Sequence, residues 1–141
     1  PAWFKGGLYH DDMPMEVPAY WFVSWYDVSS APNIALYNHV RNSAKSKSIA
    51  DNQYLVIAPV LHCSYKRAVE NTIVGERSVG DARLNYDELT WGWFDMLLKG
   101  EQNDFKSTQP RVRYYTMGSN KWQQATSFPL PNTEIKNYYL G

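Results

Sequence analysis

Asp27 and His62 are the two residues whose types and surroundings point to chemistry. Asp27 ends the run "PAYWFVSWYD", in which apolar and aromatic side chains climb without a break to a single carboxylate. His62 ends "YLVIAPVLH", just past a second run of the same kind. In sheets of parallel strands, ligands and reacting groups collect just beyond the carboxyl ends of the strands. An Asp and a His placed there on neighbouring strands would share one edge. A carboxylate held against one imidazole nitrogen fixes the tautomer and stabilises the imidazolium, leaving the other nitrogen to take a proton from a nucleophile. Both residues also have plainer uses. An Asp followed by Ser29, Ser30 and Pro32 suits a turn or a helix start, and a His after a strand suits a loop or a core position.

A sheet is needed to carry the pair. Residues 19–26 are continuously apolar rather than alternating, the pattern of a strand covered on both faces in a parallel sheet. Ser30 with Pro32 marks a helix start, and Ile34, Tyr37, Val40 and Arg41 share one face of a helix that runs to about residue 46. Residues 54–58, "YLVIA", are a second buried strand, which Pro59 is expected to halt. Strand, helix and strand at this spacing make a right-handed parallel crossover. Ahead of it, Gly6, Gly7, Pro14 and the pair Asp11, Asp12 form a loop-like approach.

Beyond His62 lies a charged, glycine-punctuated stretch, residues 67–85, too long for an ordinary connection and so a candidate functional loop. Tyr86, Leu89, Trp93, Phe94, Leu97 and Leu98 fall at helical spacing, and Gly100 stands where a glycine closes a helix. A polar linker, residues 101–109, comes next. After it, "RVRYYTMG" and "EIKNYYL" alternate like antiparallel strands with one exposed face.

The chain has 141 residues, with fourteen basic and fourteen acidic side chains. That length fits one compact domain. The balanced charge gives no field that favours nucleic acid or an anionic membrane surface. The longest apolar run is about eight residues against the roughly 20 of a spanning helix, so a soluble protein without membrane or nucleic-acid partners is expected. The single cysteine, Cys63, leaves the redox compartment open and is expected to be a small buried hydrophobe. His10 and His39 have no neighbours at metal-ligand spacing, and Gly75 and Gly80 do not make a phosphate-binding fingerprint.

"VSWYD", "LVIAPVLH", "WGWFDMLLKG", "RVRYYTMGSNKW" and "NYYL", in this order, resemble the family of cocaine esterase and related hydrolases, which includes X-Pro dipeptidyl-peptidases, α-amino-acid ester hydrolases and glutaryl cephalosporin acylases. The resemblance runs from about residue 18 to residue 141. It implies a partial α/β-hydrolase fold, a parallel sheet with flanking helices over residues 1–109, succeeded over 110–141 by the beginning of a β jelly-roll domain. Asp27 matches the family acid of a Gly-Trp-Tyr-Asp motif, and His62 matches the histidine of a Gly-Pro-Trp-x-His motif. Ser24 stands where the family has glycine, and "APVLH" departs from the second motif, so the pocket beside the histidine differs in shape. Asp before His, about a strand, helix and strand apart, is also the order of the last two triad members in α/β-hydrolases.

The nucleophile that this implies, a serine on a Gly-x-Ser-x-Gly turn, has no counterpart in these 141 residues. The oxyanion-hole donor next to it would be missing too. The chain is therefore expected to be the C-terminal part of a hydrolase domain that cannot turn over substrate alone. Its implied partners are a small ester, amide or peptide substrate and the remainder of the same hydrolase chain, a homo-oligomer being compatible with both. No metal or organic cofactor is implied, and localisation is open. Ser24, Cys63 and Ser64 are poor substitutes for the nucleophile: Ser24 lacks an exposed elbow, and adjacent side chains in extended chain point to opposite sides.

Weaker candidates surround the pair. Asp11, Asp12 and Glu16 could recognise a substrate ammonium, though acidic loop residues are commonly just solvated. Glu76, Arg77, Asp81 and Arg83 could hold the loop after His62 over a site, or form surface ion pairs worth about 0 to 1 kcal/mol each. The other function class is a non-catalytic binding module, in which the aromatic C-terminal segment recognises a polymer or partner.

Overall fold

The computed structural model describes residue 13, residues 15–100 and residues 104–140. The readings placed on Gly6, Gly7, His10, Asp11, Asp12, Pro14 and residues 101–103 lie outside the described residues.

The first apolar run forms β1 (Ala19–Tyr26), succeeded by α1 (Ser30–Ser43), a one-turn α2 (Lys47–Asp51) and β2 (Gln53–Leu61). β1 and β2 pair in parallel, so the strand-helix-strand crossover is as expected. α1 stops three residues short of the expected end. Ser46 then caps α2 by accepting from the Ile49 N–H. β2 does not stop at Pro59 but runs through it to Leu61. A central strand tolerates proline where ladder pairing is interrupted. Here β2 has left its pairing with the next strand after Ile57, and an irregularity in the β1 pairing falls between Ser24 and Tyr26, opposite Pro59.

The stretch expected to be a long loop contains a hairpin, β3 (Thr72–Val74) and β4 (Arg77–Gly80), turning at Gly75 with φ +62°. Next comes α3 (Tyr86–Phe94), capped by the Asn85 side chain and continued by a wider turn over Asp95–Lys99. Gly100 ends it at φ +64°, a left-handed conformation that favours glycine. The linker holds a short helix, α4 (Phe105–Thr108). Its Phe105 ring packs edge-on against Tyr54 at 5.3 Å, and a Cβ on Gly92 would stand 3.2 Å from that ring.

Residues 110–140 contribute β5 (Val112–Thr116), within the first of the two expected strands, and β6 (Lys121–Ala125), which the alternation did not mark; the two are antiparallel to each other. β5 also pairs in parallel with β2, giving one mixed sheet in the order β1-β2-β5-β6. "EIKNYYL" is not a strand, and Ile135, Tyr138, Tyr139 and Leu140 are exposed. The fold is thus a mixed sheet with parallel strands and flanking helices, compatible with part of an α/β fold.

Alternation along the strands sorts the core into two layers. Val23, Leu55, Ile57 and Val112 face α1, where Tyr37 and Ile34 cover them. Tyr54, Val56 and Ala58 face the other way, toward Leu89, Trp93, Phe105 and Tyr86. Each fully buried Val, Leu or Ile is worth about 1.5 to 3 kcal/mol. Of the expected α3 stripe, Tyr86, Leu89 and Trp93 are buried and Leu97 packs against their cluster, while Phe94 and Leu98 are exposed. The two outer strands differ: β1 reads AYWFVSWY and β6 reads KWQQA. Among the described residues no helix is long and apolar enough to cross a membrane.

Candidate functional site

The irregularity between β1 and β2 decides what stands across from Asp27. Ser24 pairs with Ala58, and an unbroken ladder would put Leu61 opposite Asp27. Instead Tyr26 pairs with Leu61, so β2 carries one extra residue, a bulge that bends the strand and re-aims the residues beyond it. His62 is thereby brought opposite Asp27, one residue past the end of each strand. The expectation that both project from one edge of the sheet, on neighbouring strands, is met in the structure.

The two side chains are hydrogen-bonded, Asp27 Oδ2 to His62 Nδ1. They sit in different surroundings: the Asp27 side chain is 7% exposed, that of His62 71%. The other carboxylate oxygen, Oδ1, accepts from the Ser29 backbone N–H at 2.9 Å and from the Ser29 hydroxyl at 2.8 Å. The turn contact and the imidazole contact therefore use different oxygens, and the two uses foreseen for Asp27 coexist. The Ser29 N–H, then His62, then the Ser29 hydroxyl hold the Asp27 carboxyl down at about 2, against desolvation, which pushes it up. With the carboxylate ionised, the proton of the shared bond belongs to Nδ1. Nε2 is then the basic nitrogen of a neutral ring.

The backbone around the pair is tightly held. Ser30 Oγ donates to the Asp27 carbonyl at 2.6 Å and also contacts the Ser24 carbonyl. On the β2 side, the Ser64 N–H bonds the Leu61 carbonyl at 3.0 Å, closing a four-residue turn with His62 second and Cys63 third. Cys63 has φ +54°, a conformation rarely adopted by a residue with a Cβ. Contrary to expectation it is an exposed free thiol, because the turn carries it out of the core that ends at Val60. Ser24 is buried and its hydroxyl lies 3.4 Å from the Leu61 carbonyl, while the Ser64 hydroxyl donates to the His62 carbonyl at 3.2 Å.

Cys63, the residue after His62, lines a groove of about 370 Å³ with Phe22, Tyr65, Tyr86, Asp87 and Thr90, and Lys66 is bonded to Asp87 at 2.6 Å there; Asp27 and His62 themselves do not line it. The hairpin after His62 is fastened from below: Tyr115 Oη donates to the Val79 and Asp81 carbonyls, and the Trp122 indole donates to the Arg83 carbonyl at 3.1 Å. Of the charged candidates there, Asp81 and Arg83 pair with each other at 2.6 Å, and Arg83 approaches Glu70 at 3.9 Å, all on the surface. Glu16 pairs with Lys45. Among the described residues no group of three or more His, Cys, Asp or Glu side chains is arranged to hold a metal ion.

Ser29 was legible only as a turn residue, and Asn33 was not singled out. A serine two positions after an aspartate, with an asparagine one helical turn on, is the signal that could have found them.

The chain is 26% identical, over 143 residues, to cocaine esterase of Rhodococcus sp. (strain MB1 Bresler), a match that covers 99% of this chain and 23% of that protein. It thus spans less than a quarter of the length of the curated relative it matches. No family model matches it. The similarity is distant.

Proposed function

We propose that this chain is part of a serine hydrolase that cleaves ester or amide bonds by acyl transfer, with His62 as general base and Asp27 as the acid that orients it. The observation that carries this reading is the Asp27–His62 hydrogen bond at the carboxyl ends of two parallel strands, taken with the similarity to cocaine esterase. A serine from outside these residues would attack the substrate carbonyl as its proton passes to Nε2 of His62. That proton then goes to the leaving alkoxide or amine. Water repeats the sequence on the acyl-enzyme and frees the acid. Throughout, Asp27 stays ionised and balances the imidazolium. Residues 1–109 are proposed as the catalytic-domain portion and 110–141 as the opening of a β domain whose first strand is stitched onto β2.

A fluorophosphonate probe on the product of the complete reading frame that contains this chain tests the proposal. One labelled serine is expected, with labelling lost in His62→Ala. Asp27→Asn should slow it by about three to four orders of magnitude, because the amide leaves the imidazole in the wrong tautomer. A complete protein that never labels would instead favour a binding module.

A further inference from the structure

Ser29 occupies the N-cap of α1, yet its side chain makes no capping bond to the helix. Its hydroxyl turns back and donates to Asp27 Oδ1. Asn33, in the first turn of α1, donates its side-chain N–H to Ser29 Oγ at 3.1 Å. A serine hydroxyl has one proton and rotates to suit its neighbours. With Asn33 donating to the oxygen, that proton is directed at Asp27. The carboxylate torsion of an aspartate is otherwise broad and nearly two-fold, so nothing in the side chain itself keeps Oδ2 aimed at the imidazole.

We propose that Ser29, itself aimed by Asn33, is a positioning residue for His62: it holds Oδ1 of Asp27 so that Oδ2 meets Nδ1. This rests on the hydrolase reading of the Asp27–His62 pair. The turn does not depend on the Ser29 hydroxyl for its shape, because Ser30 fastens the Asp27 and Ser24 carbonyls and the Ser29 N–H still reaches Oδ1. Removing the hydroxyl leaves Oδ1 with one bond, from the Ser29 N–H, where it had two, so the carboxylate is held less firmly while the backbone stands. The helix gives up a cap at this position, and the site gains a fixed acid.

The complete protein carries the test, with Ser29→Ala, Ser29→Thr and Asn33→Ala compared by fluorophosphonate labelling rate and by the far-downfield proton resonance of His62 Nδ1. Ser29→Ala is expected to label about tenfold more slowly at unchanged probe affinity, the loss of one hydrogen bond to a charged group. Ser29→Thr restores the hydroxyl and should return to within about threefold of wild type, with Asn33→Ala between the two. The resonance should shift in Ser29→Ala and return in Ser29→Thr. Wild-type rate and an unmoved resonance in Ser29→Ala would overturn the proposal, as would a threonine variant as slow as the alanine. His62→Ala with full labelling would overturn the hydrolase reading instead, and the resonance would still decide whether Ser29 positions the ring.

Discussion

Trp25, on the outer strand β1, donates its indole N–H to the Tyr115 carbonyl on β5 at 2.8 Å, although β2 lies between the two strands. The bond closes over the top of β2 two residues before Asp27. Since the Tyr115 hydroxyl also holds the hairpin after His62, one residue of β5 fixes the surroundings of both members of the pair.

Trp25→Phe keeps an aromatic ring near Phe128 and removes the donor together with part of the indole. It is expected to cost about 0.5 to 1.5 kcal/mol in urea denaturation. Labelling by the probe should fall with it, because the end of β1 is freed.

Tyr115→Phe cuts the bonds to the Val79 and Asp81 carbonyls while keeping the edge-on contact with Trp122 at 5.2 Å. Faster limited proteolysis within residues 75–77 is expected, with a loss of about 1 kcal/mol or a little more because the Val79 carbonyl is left unpaired in a buried place.

Acid should erase what Asp27 contributes to stability. Its carboxyl ionises at about 2 in the fold, against ~3.9 in an unfolded chain. Folding therefore favours the ionised form, and the contribution is full above about pH 4 and is lost as pH falls toward 2. In a pH series of unfolding curves, the gap between wild type and Asp27→Asn should close steadily below about pH 4. A gap that does not change would show that the carboxylate is not held.

Cys63 holds a left-handed backbone conformation. At φ +54° a branched side chain clashes with its own backbone, so Cys63→Val should destabilise by about 1 to 2 kcal/mol. Cys63→Gly should be neutral or mildly stabilising, the relief of strain being offset by the greater freedom of glycine in the unfolded chain. Thermal unfolding of the two variants separates these outcomes.

The sequence made some of this legible for physical reasons. The apolar run of β2 told of a strand covered on both faces, whereas β1 is largely half-buried with Val23 and Ser24 its buried residues, and the loop residues after both runs marked the edge that carries Asp27 and His62. Gly100 announced the end of α3 because only a left-handed residue fits there. Pro59 misled, since the missing N–H matters only where a ladder bond is needed, and β2 has moved away from β5 at that point. The hairpin was hidden in a stretch rich in charge because its strands are three and four residues long and bury only Val74, Val79 and Thr72. Cys63 was judged by the average habit of cysteine, whereas its position is set by a turn. Ser29 and Asn33 were obscured because their spacing after Asp27 reads equally as an ordinary turn into a helix, and the geometry alone shows the hydroxyl turned back to Asp27 with Asn33 bonded to it.

The contrast between the two outer strands gives the sheet a direction of growth. β6 presents Lys121 with Gln123 and Gln124, and charge and polar side chains on an outer strand discourage further pairing. β1 is apolar but for the buried Ser24, and among the described residues it has, like β6, one partner strand, so its second row of backbone donors and acceptors is open. Any added strand would therefore join beside Asp27 rather than beside Lys121. Of the two outer strands, the one better suited to take a further strand is the one that carries the acid.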